Sequence, residues 1–559
     1  MENTTPLSTE DSFTQDLGAR LRETLQKNWD LVAYSTHTGE QVYYREVAVK
    51  VLEIHDLLRQ VKIKPGEKVA ILGHNSPHWA TVYIALLAYG AIVVPVPRSL
   101  RPKMIYRILE HSAARALFVC EHVWENLNEF YLSYLQLIVG FPNWSILFAK
   151  ESALRNGGSE QLPKASLSKK KLCEQMESFY IYDSEEPVVL NYTSGTVGFP
   201  KGVLLPARSL LANIRYAERV VPLKPKDVIV SYLPFEHIYG QVFDFLYGFL
   251  MGAHIHILSS APTLAALLKA FQSYRPRLIL LLPSLFQRIF QSSIPHCANR
   301  KVIRSMLRFP VVGDWLQYFF RSRLERIFGG NFISVVIGGY HFNPQIESFL
   351  RTIHFRYSVG YGLTESGALV TYKAPGRGTP NSVGKVVDGM ELEIQNLDKN
   401  GVGNICIRGL NLMLGYHNPF DTNVTSVVSN GWFDTGDLGY LDQNNYLYVK
   451  GRSVNALLLS SGHRIYPEEL ENLMNTMPYV QESLLVERRG ELVMLVQPSL
   501  LTRRHRQLSE AQLFFEMERN RERLNQRLGA SVRVSRIELQ YRPFELTTKL
   551  SVRRPGAHC

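Results

Sequence analysis

Cysteine is scarce in this chain: five in 559 residues (Cys120, Cys173, Cys297, Cys406 and Cys559), far apart and never as C-x-x-C. That spacing argues against a disulfide framework or a thiolate zinc site, and for a reducing, cytoplasmic compartment. Long apolar runs are missing too. The most apolar stretch, 242–258, is broken by Asp244, His254 and His256, well short of the ~20 residues a spanning helix needs. The opening MENTTPLSTEDSFTQDLGARL is polar and acidic, which predicts no secretory leader. No repeat or low-complexity tract appears. The excess of 62 Lys+Arg over 50 Asp+Glu, a formal +12, forms no single block. It is spread over 300–308, 502–506, 519–527 and Arg553/Arg554. Such diffuse charge reads first as solvated helix faces and second as attraction to anionic substrates or a peripheral membrane contact; no nucleic-acid partner is expected.

What is present is apolar surface for several cores: 45% hydrophobic against 20% charged residues. Short β-branched or Leu-rich runs alternate with helical patterns, which predicts an α/β fold. KVAILG (68–73), WATVYIALLAYG (79–90) and AIVVPV (91–96) read as strand, helix closed by Gly90, and strand, one βαβ unit. Further strands are predicted at PVVLNYT (187–193), DVIVSYLP (227–234), RLILLLP (277–283) and ISVVIGG (333–339). After about residue 385 the segments shorten and alternate like a small antiparallel barrel, and after Arg452 the pattern changes again. The expected organisation is a large body of several subdomains over 1–452, with mixed and parallel sheets flanked by helices plus the small β-barrel. A small α+β lid follows over 453–559.

The strongest motif is NYTSGTVGFPKGV (191–203). A Ser/Thr/Gly loop ending in lysine, between the 187–193 strand and a helix starting near Ser209, predicts a phosphate cradle built from Thr193, Ser194, Gly195, Thr196, Gly198 and Lys201. It is not a Walker A loop, because Pro200 separates the second glycine from Lys201 and Gly202 follows the lysine.

This stretch resembles the phosphate loop of the adenylate-forming, AMP-binding superfamily, whose members include acyl-CoA synthetases, luciferases and peptide-synthetase adenylation domains. Further stretches match in order: LPFEHIYG (233–240), IGGYHF (337–342), GYGLTES (360–366), SVGKVVDGMEL (382–392), IRGLNLMLGY (407–416), WFDTGDLGY (432–440), GR (451–452) and GHRIYPEELE (462–471). The resemblance is greatest to long-chain fatty-acid–CoA ligases. It implies a two-step reaction: a carboxylate attacks the α-phosphate of ATP to give acyl-AMP and pyrophosphate, then a thiol, usually coenzyme A, displaces AMP.

The same resemblance implies site roles. Tyr361 would offer a flat face to adenine, beside Gly362 and the backbone of Gly338, Gly339 and Tyr340. Thr364 and Glu365 would meet phosphate and Mg²⁺, with Thr196 as a second metal contact. Asp437 would accept from the ribose hydroxyls, and Arg452 would bind hydroxyl and phosphate oxygens together. Asp434 reads as an ordinary Asx turn. His237 would face the reacting carboxylate, which favours an acyl over an amino-acid substrate. Lys549, in ELTTKLSVRR (545–554), would be the lid lysine that stabilises charge at the transferring phosphorus, with Ser551 competing under a shifted alignment.

Departures from the family pattern are Ala207 where a histidine is common, Asn404 where an acid is common, and Val454 with Asn455 at the hinge. The reading that results is ATP-dependent, Mg²⁺-assisted activation of a medium- or long-chain fatty acid and its transfer to coenzyme A. Two alternatives stay open: transfer to a separate acyl carrier protein, or a degenerate, non-catalytic nucleotide- or lipid-binding homologue.

Overall fold

The computed structural model describes residues 16–150, 168–193, 200–258, 262–294, 309, 311–338, 342–418, 428–429, 431–458, 464–488, 490–499, 508–528, 532–544 and 554. Two large sheets dominate. One has eight strands in the order Gly415–Tyr416, Lys201–Pro206, Pro187–Thr193, Ile92–Val96, Lys68–Leu72, Ala116–Cys120, Leu137–Phe141 and Ser145–Ala149. The other has nine: Lys385–Val386, Thr371–Lys373, Tyr357–Tyr361, Ser334–Gly338, Leu278–Leu281, Val228–Ser231, His254–Ile257, Val32–Thr36 and Gln41–Tyr43. Their central strands are parallel, as continuous apolar runs covered on both faces should be.

The expected βαβ unit is present. Ser76 caps the helix Pro77–Tyr89 by accepting from the Trp79 amide, Pro77 occupies the first turn, and Gly90 closes it at φ 88°. This helix packs against the strands Lys68–Leu72 and Ile92–Val96 on one side. On the other, Trp79 and Tyr83 meet Phe235 and Phe245. An apolar helix with almost no polar face belongs in such a position.

The loop expected to join a strand to a helix joins two strands instead. Pro187–Thr193 pairs antiparallel with Lys201–Pro206, Thr193 opposite Lys201, and the helix Ala207–Val220 begins only after Pro206. Val203, Leu204 and Leu205 are buried, so this run gains more as an inner strand than as a helix turn. Lys201–Pro206 is therefore the second strand of an antiparallel pair rather than the start of a helix.

Where the small barrel is expected, the ladders give a five-stranded antiparallel sheet. Its order is Met390–Gln395, Gly403–Gly409, Trp432–Leu441, Val428–Ser429, with Leu447–Arg452 also on Trp432–Leu441. Beyond it, Val480–Arg488, Glu491–Pro498 and Val534–Leu539 form a separate three-stranded sheet, covered by the helices Pro467–Asn475 and Glu510–Leu528. It has its own core of Leu470, Met474, Leu485, Met494, Leu513, Met517 and Leu524, among others. Contacts from this unit to the rest include polar ones: Lys450 with Glu469 (2.6 Å), Asn455 with Glu468 (2.6 Å) and Gln287 with the Asn475 carbonyl (2.9 Å). Among the described residues, no helix is long and apolar enough to cross a membrane.

Candidate active site

Parallel strands deliver their C-terminal ends to one edge of a sheet, and loops at that edge are where α/β folds bind ligands. Ser231, Gly338 and Tyr361 are such ends in the nine-stranded sheet, Gly338 lying in register with Gly360. Gly338 must lack a side chain, because a Cβ there would sit 2.5 Å from Tyr239 Cζ. Tyr239 in turn donates to the Val336 carbonyl (3.4 Å), which ties the His237 loop to this strand.

The Tyr361 hydroxyl donates to Asp437 Oδ2 at 2.6 Å, and Arg452 Nε lies 2.8 Å from Asp437 Oδ1. Asp437 and Arg452 are cross-strand partners of the hairpin Trp432–Leu441/Leu447–Arg452, beside a register shift at Leu438/Gly439 that re-aims the chain. Gly436, at φ 72°, makes the bend before Asp437. Thr435 Oγ1 accepts from the Asp437 amide (3.1 Å) and donates to the Ile405 carbonyl (2.8 Å), locking the turn. Asp437 is 2% exposed and Tyr361 1%. Burial, then the Asp437 charge, push the Tyr361 phenol upward, so it remains a donor. In this structure the Tyr361 ring is packed inside and its hydroxyl meets Asp437. Asp434 makes the Asx turn the sequence points to, accepting from the Gly436 amide at 2.8 Å.

A second group brings residues of the two sheets together. Thr364–Ser366 is one tight turn, pinned by Ser366 Oγ against the Leu363 amide (3.2 Å) and carbonyl (3.0 Å). Gly362 admits no Cβ, which would fall 1.7 Å from the Ala368 carbonyl oxygen. Glu365 accepts from the Tyr416 hydroxyl at Oε1 (2.9 Å), and its own carbonyl accepts from the Met413 amide (2.8 Å). Lys201 Nζ stands 4.7 Å from the centre of the Tyr416 ring. Lys201, Tyr416 and Glu365 therefore line up ammonium, ring and carboxylate, and burial followed by Glu365 keeps the Tyr416 phenol protonated. Tyr416 lies in a quoted motif, but nothing in its spacing marked it; only the pairing of Gly415–Tyr416 with Lys201–Pro206 places it there.

His237 is half-buried on a separate element, the loop after Val228–Ser231. Asn75 grips that loop from both sides, donating to the Leu233 carbonyl (2.7 Å) and accepting from the Phe235 amide (3.0 Å). Asn191 donates to the Glu236 carbonyl (3.0 Å), so the strand that leads into Thr193 also holds the His237 loop. Below it, Asp244 Oδ2 accepts from Ser231 Oγ (2.7 Å) and the Tyr232 (3.0 Å) and Leu233 (3.1 Å) amides. Burial nonetheless raises Asp244 to about 7, since three donors do not repay the loss of water. Ser194, Gly195, Thr196, Gly198, Gly339, Tyr340, Lys549 and Ser551 lie outside the described residues.

A sequence model described as "AMP-binding enzyme" matches residues 21–417. The chain belongs to the AMP-binding enzyme family. Among curated relatives it is 24% identical over 503 residues to a long-chain-fatty-acid–CoA ligase of Rattus norvegicus, covering 82% of this chain and 67% of that one. It is 27% identical over 465 residues to the peroxisomal long chain acyl-CoA synthetase 6 of Arabidopsis thaliana, covering 76% and 63%. Among solved structures, the anthranilate CoA ligase AuaEII in complex with anthranoyl-AMP superposes with a TM-score of 0.74 at 19% identity, covering 96% of both chains. ATP-bound MatB from Rhodopseudomonas palustris gives 0.72 at 18%, covering 96% and 97%. These likenesses carry the fold: mixed α/β with large sheets and a smaller C-terminal sheet unit.

Within this AMP-binding enzyme, the departures from the family pattern have local partners. Asn404 donates to Asp434 Oδ2 (2.7 Å), where a second acid would oppose it. Ala207 is buried in the first turn of its helix, its amide on the Glu186 carbonyl (2.9 Å). Val454 is 66% exposed in the turn Ser453–Asn455. Arg554 forks onto Glu471 at 2.7 and 2.6 Å and approaches Glu468 at 3.7 Å, so its guanidinium sits on the helix Pro467–Asn475.

The donor set fits a magnesium nucleotide. Asp437 accepts from the Tyr361 hydroxyl at Oδ2 and pairs with Arg452 at Oδ1, and a carboxylate offers about four acceptor sites. Among the described residues no cluster of three or more His, Cys, Asp or Glu could hold a metal by itself. A single carboxylate such as Glu365 suits Mg²⁺, which binds through one or two carboxylates plus substrate phosphates.

Proposed function

We propose that this protein is an ATP-dependent, AMP-forming acid–thiol ligase that activates a medium- or long-chain fatty acid and transfers it to coenzyme A. The observation that carries the reading is the Tyr361–Asp437–Arg452 group, a buried carboxylate held between a donor and a guanidinium at a sheet edge. Asp437 accepts from the ribose hydroxyls and Arg452 contacts ribose and phosphate oxygens. Thr364, Lys201 and the Thr193, Ser194, Gly195, Thr196 and Gly198 loop hold the phosphates, and the Gly338–Gly339–Tyr340 backbone with Gly362 borders the adenine.

In the first step a carboxylate oxygen of the acid attacks the α-phosphorus, the bond to the β-phosphate oxygen breaks, and pyrophosphate leaves. His237 orients the attacking carboxylate. Glu365 and Thr196, together with the phosphates, would hold Mg²⁺, which would supply charge neutralisation there. Lys549 stabilises charge at the phosphorus. In the second step the coenzyme A sulfur attacks the acyl carbonyl and AMP leaves. We divide the chain into an adenylating body, 1–452, and a mobile lid, 453–559, turning near Val454 between the steps. The enzyme is placed in the cytoplasm.

The test is pyrophosphate release with ATP, Mg²⁺ and acids from acetate to palmitate, with and without coenzyme A. Release that rises with chain length and acyl-CoA formation are expected. Adenylate that never passes to coenzyme A would redirect the acceptor to a separate acyl carrier protein. No adenylate from any acid would leave a nucleotide- or lipid-binding homologue.

A further inference from the structure

The helix Val312–Ile327 is apolar on two faces. Inward, Phe320 and Leu324 are buried, Phe320 with its ring 5.6 Å from Phe349. Outward, Val311, Val312, Trp315, Tyr318 and Phe319 are exposed, Trp315 by 64% and Tyr318 by 62%, with Phe309 exposed beside them. Residues 315, 318, 319, 322 and 326 share one side of the helix. Trp315 and Phe319 stack on each other, centroids 5.7 Å apart, which orders the outer face without covering it. A soluble surface rarely leaves that many large apolar side chains contiguous unless something docks on them.

The charge around this face chooses the occupant. Arg321 lies over the Tyr318 ring at 5.8 Å, Arg323 donates to the Ser293 carbonyl (2.7 Å), and Arg326 donates to the Ser322 carbonyl (3.3 Å). Those partners are neutral and leave the positive charge in place. Of the helix's two acids, Glu325 approaches Arg356 at 3.7 Å and Asp314 is exposed. In sequence, the stretch ahead carries Arg300, Lys301, Arg304 and Arg308 and no acid. Trp and Tyr at the waterline with arginines flanking them is the composition that seats a helix at an anionic bilayer surface. No described helix could span the bilayer, so the contact is lateral.

We propose that the outer face of Val312–Ile327 docks on the surface of an anionic lipid bilayer, inserting Trp315, Tyr318 and Phe319 at the headgroup level. The fatty-acid reading is not required for it, because vesicle binding is read without ATP, acid or coenzyme A.

The experiment is co-sedimentation of the full chain with phosphatidylcholine vesicles containing or lacking phosphatidylserine, at low and high salt. Binding is expected with phosphatidylserine and should weaken with salt. Trp315→Ser/Tyr318→Ser and Arg321→Glu/Arg326→Glu should each reduce partitioning about tenfold or more. Their circular dichroism spectrum should match the parent's. Failure of the parent to bind these vesicles at low salt, or variants binding as well as the parent, overturns the proposal. So does a lipid-free dimer, seen by sedimentation velocity, that Trp315→Ser/Tyr318→Ser dissociates, since the face would then belong to a second copy.

Discussion

Asp437 and Arg452 face each other across an antiparallel hairpin, the guanidinium Nε 2.8 Å from the carboxylate. The carboxylate is buried and the arginine partly exposed, so the guanidinium bridges the buried acid and the solvent side of the site.

Asp437→Asn should therefore keep the fold and lose nucleotide binding. An amide is a poorer acceptor for ribose hydroxyls, and Arg452 loses its counter-charge. We expect kcat/KM for ATP to fall about a hundredfold, or ~2–3 kcal/mol. Pyrophosphate exchange at varied ATP measures it, and an unchanged KM for ATP would remove Asp437 from the nucleotide site.

Tyr416→Phe deletes the donor to Glu365 but keeps the ring beside Lys201. Adenylation should drop about tenfold through a raised requirement for Mg²⁺, with stability changed by about 1 kcal/mol or less. Tyr416→Ala should cost more, since the ring contact is also lost. Titrating Mg²⁺ at fixed ATP distinguishes a Glu365-positioning role from simple packing.

Two sets of buried groups bend stability against pH in opposite directions. Asp244 is raised from 3.8 to about 7 by burial, so the folded state binds more protons than the unfolded chain between those values. Its contribution is present at low pH and lost as pH rises from about 4 to about 7. His55 and His256 are lowered by burial to about 4, and their contribution is lost as pH falls from 6.5 to about 4. Asp244→Asn should steepen the acid-side loss by up to about 1.4 kcal/mol per pH unit. Urea unfolding at pH 5, 6 and 7 reads this directly, and parallel curves for variant and parent would contradict it.

Gly338→Ala places a methyl against the Tyr239 ring, 2.5 Å from Cζ where ordinary contact needs more than 3.4 Å. We expect a loss of about 2 kcal/mol and a displaced His237 loop. Adding Tyr239→Ala should recover part of the stability, visible as a partial return of the melting temperature.

Lys549→Ala should reduce adenylation about a hundredfold while sparing thioester formation from supplied acyl-AMP. If that variant adenylates normally and Ser551 variants do not, the tail alignment shifts by two residues. Arg554→Ala should lower the melting temperature, because it leaves the buried Glu471 without its cation.

The βαβ unit at 68–96 was legible because each signal was local: an apolar run, a Pro at the first helix turn, a Gly at its end. The C-terminal strands and helices were legible for the same reason. The strand Lys201–Pro206 between the phosphate-loop motif and the helix Ala207–Val220 was not legible. Whether VLLP (203–206) continues as strand or opens a helix depends on Leu190 and the neighbouring strands, which lie elsewhere in the chain. Tyr416 was invisible because its meaning is a partner 51 residues away.

By itself the sequence determined the family, through ordered motifs, and the alternation of elements, since both depend on residue type and spacing along the chain. The tertiary structure decided that Tyr361 meets Asp437 through its hydroxyl, that Tyr416 stands between Lys201 and Glu365, and that Trp315, Tyr318 and Phe319 face outward. These are long-range choices. They follow from which strands pair and which helix face finds a core, and the spacing of residues in a chain does not contain that information.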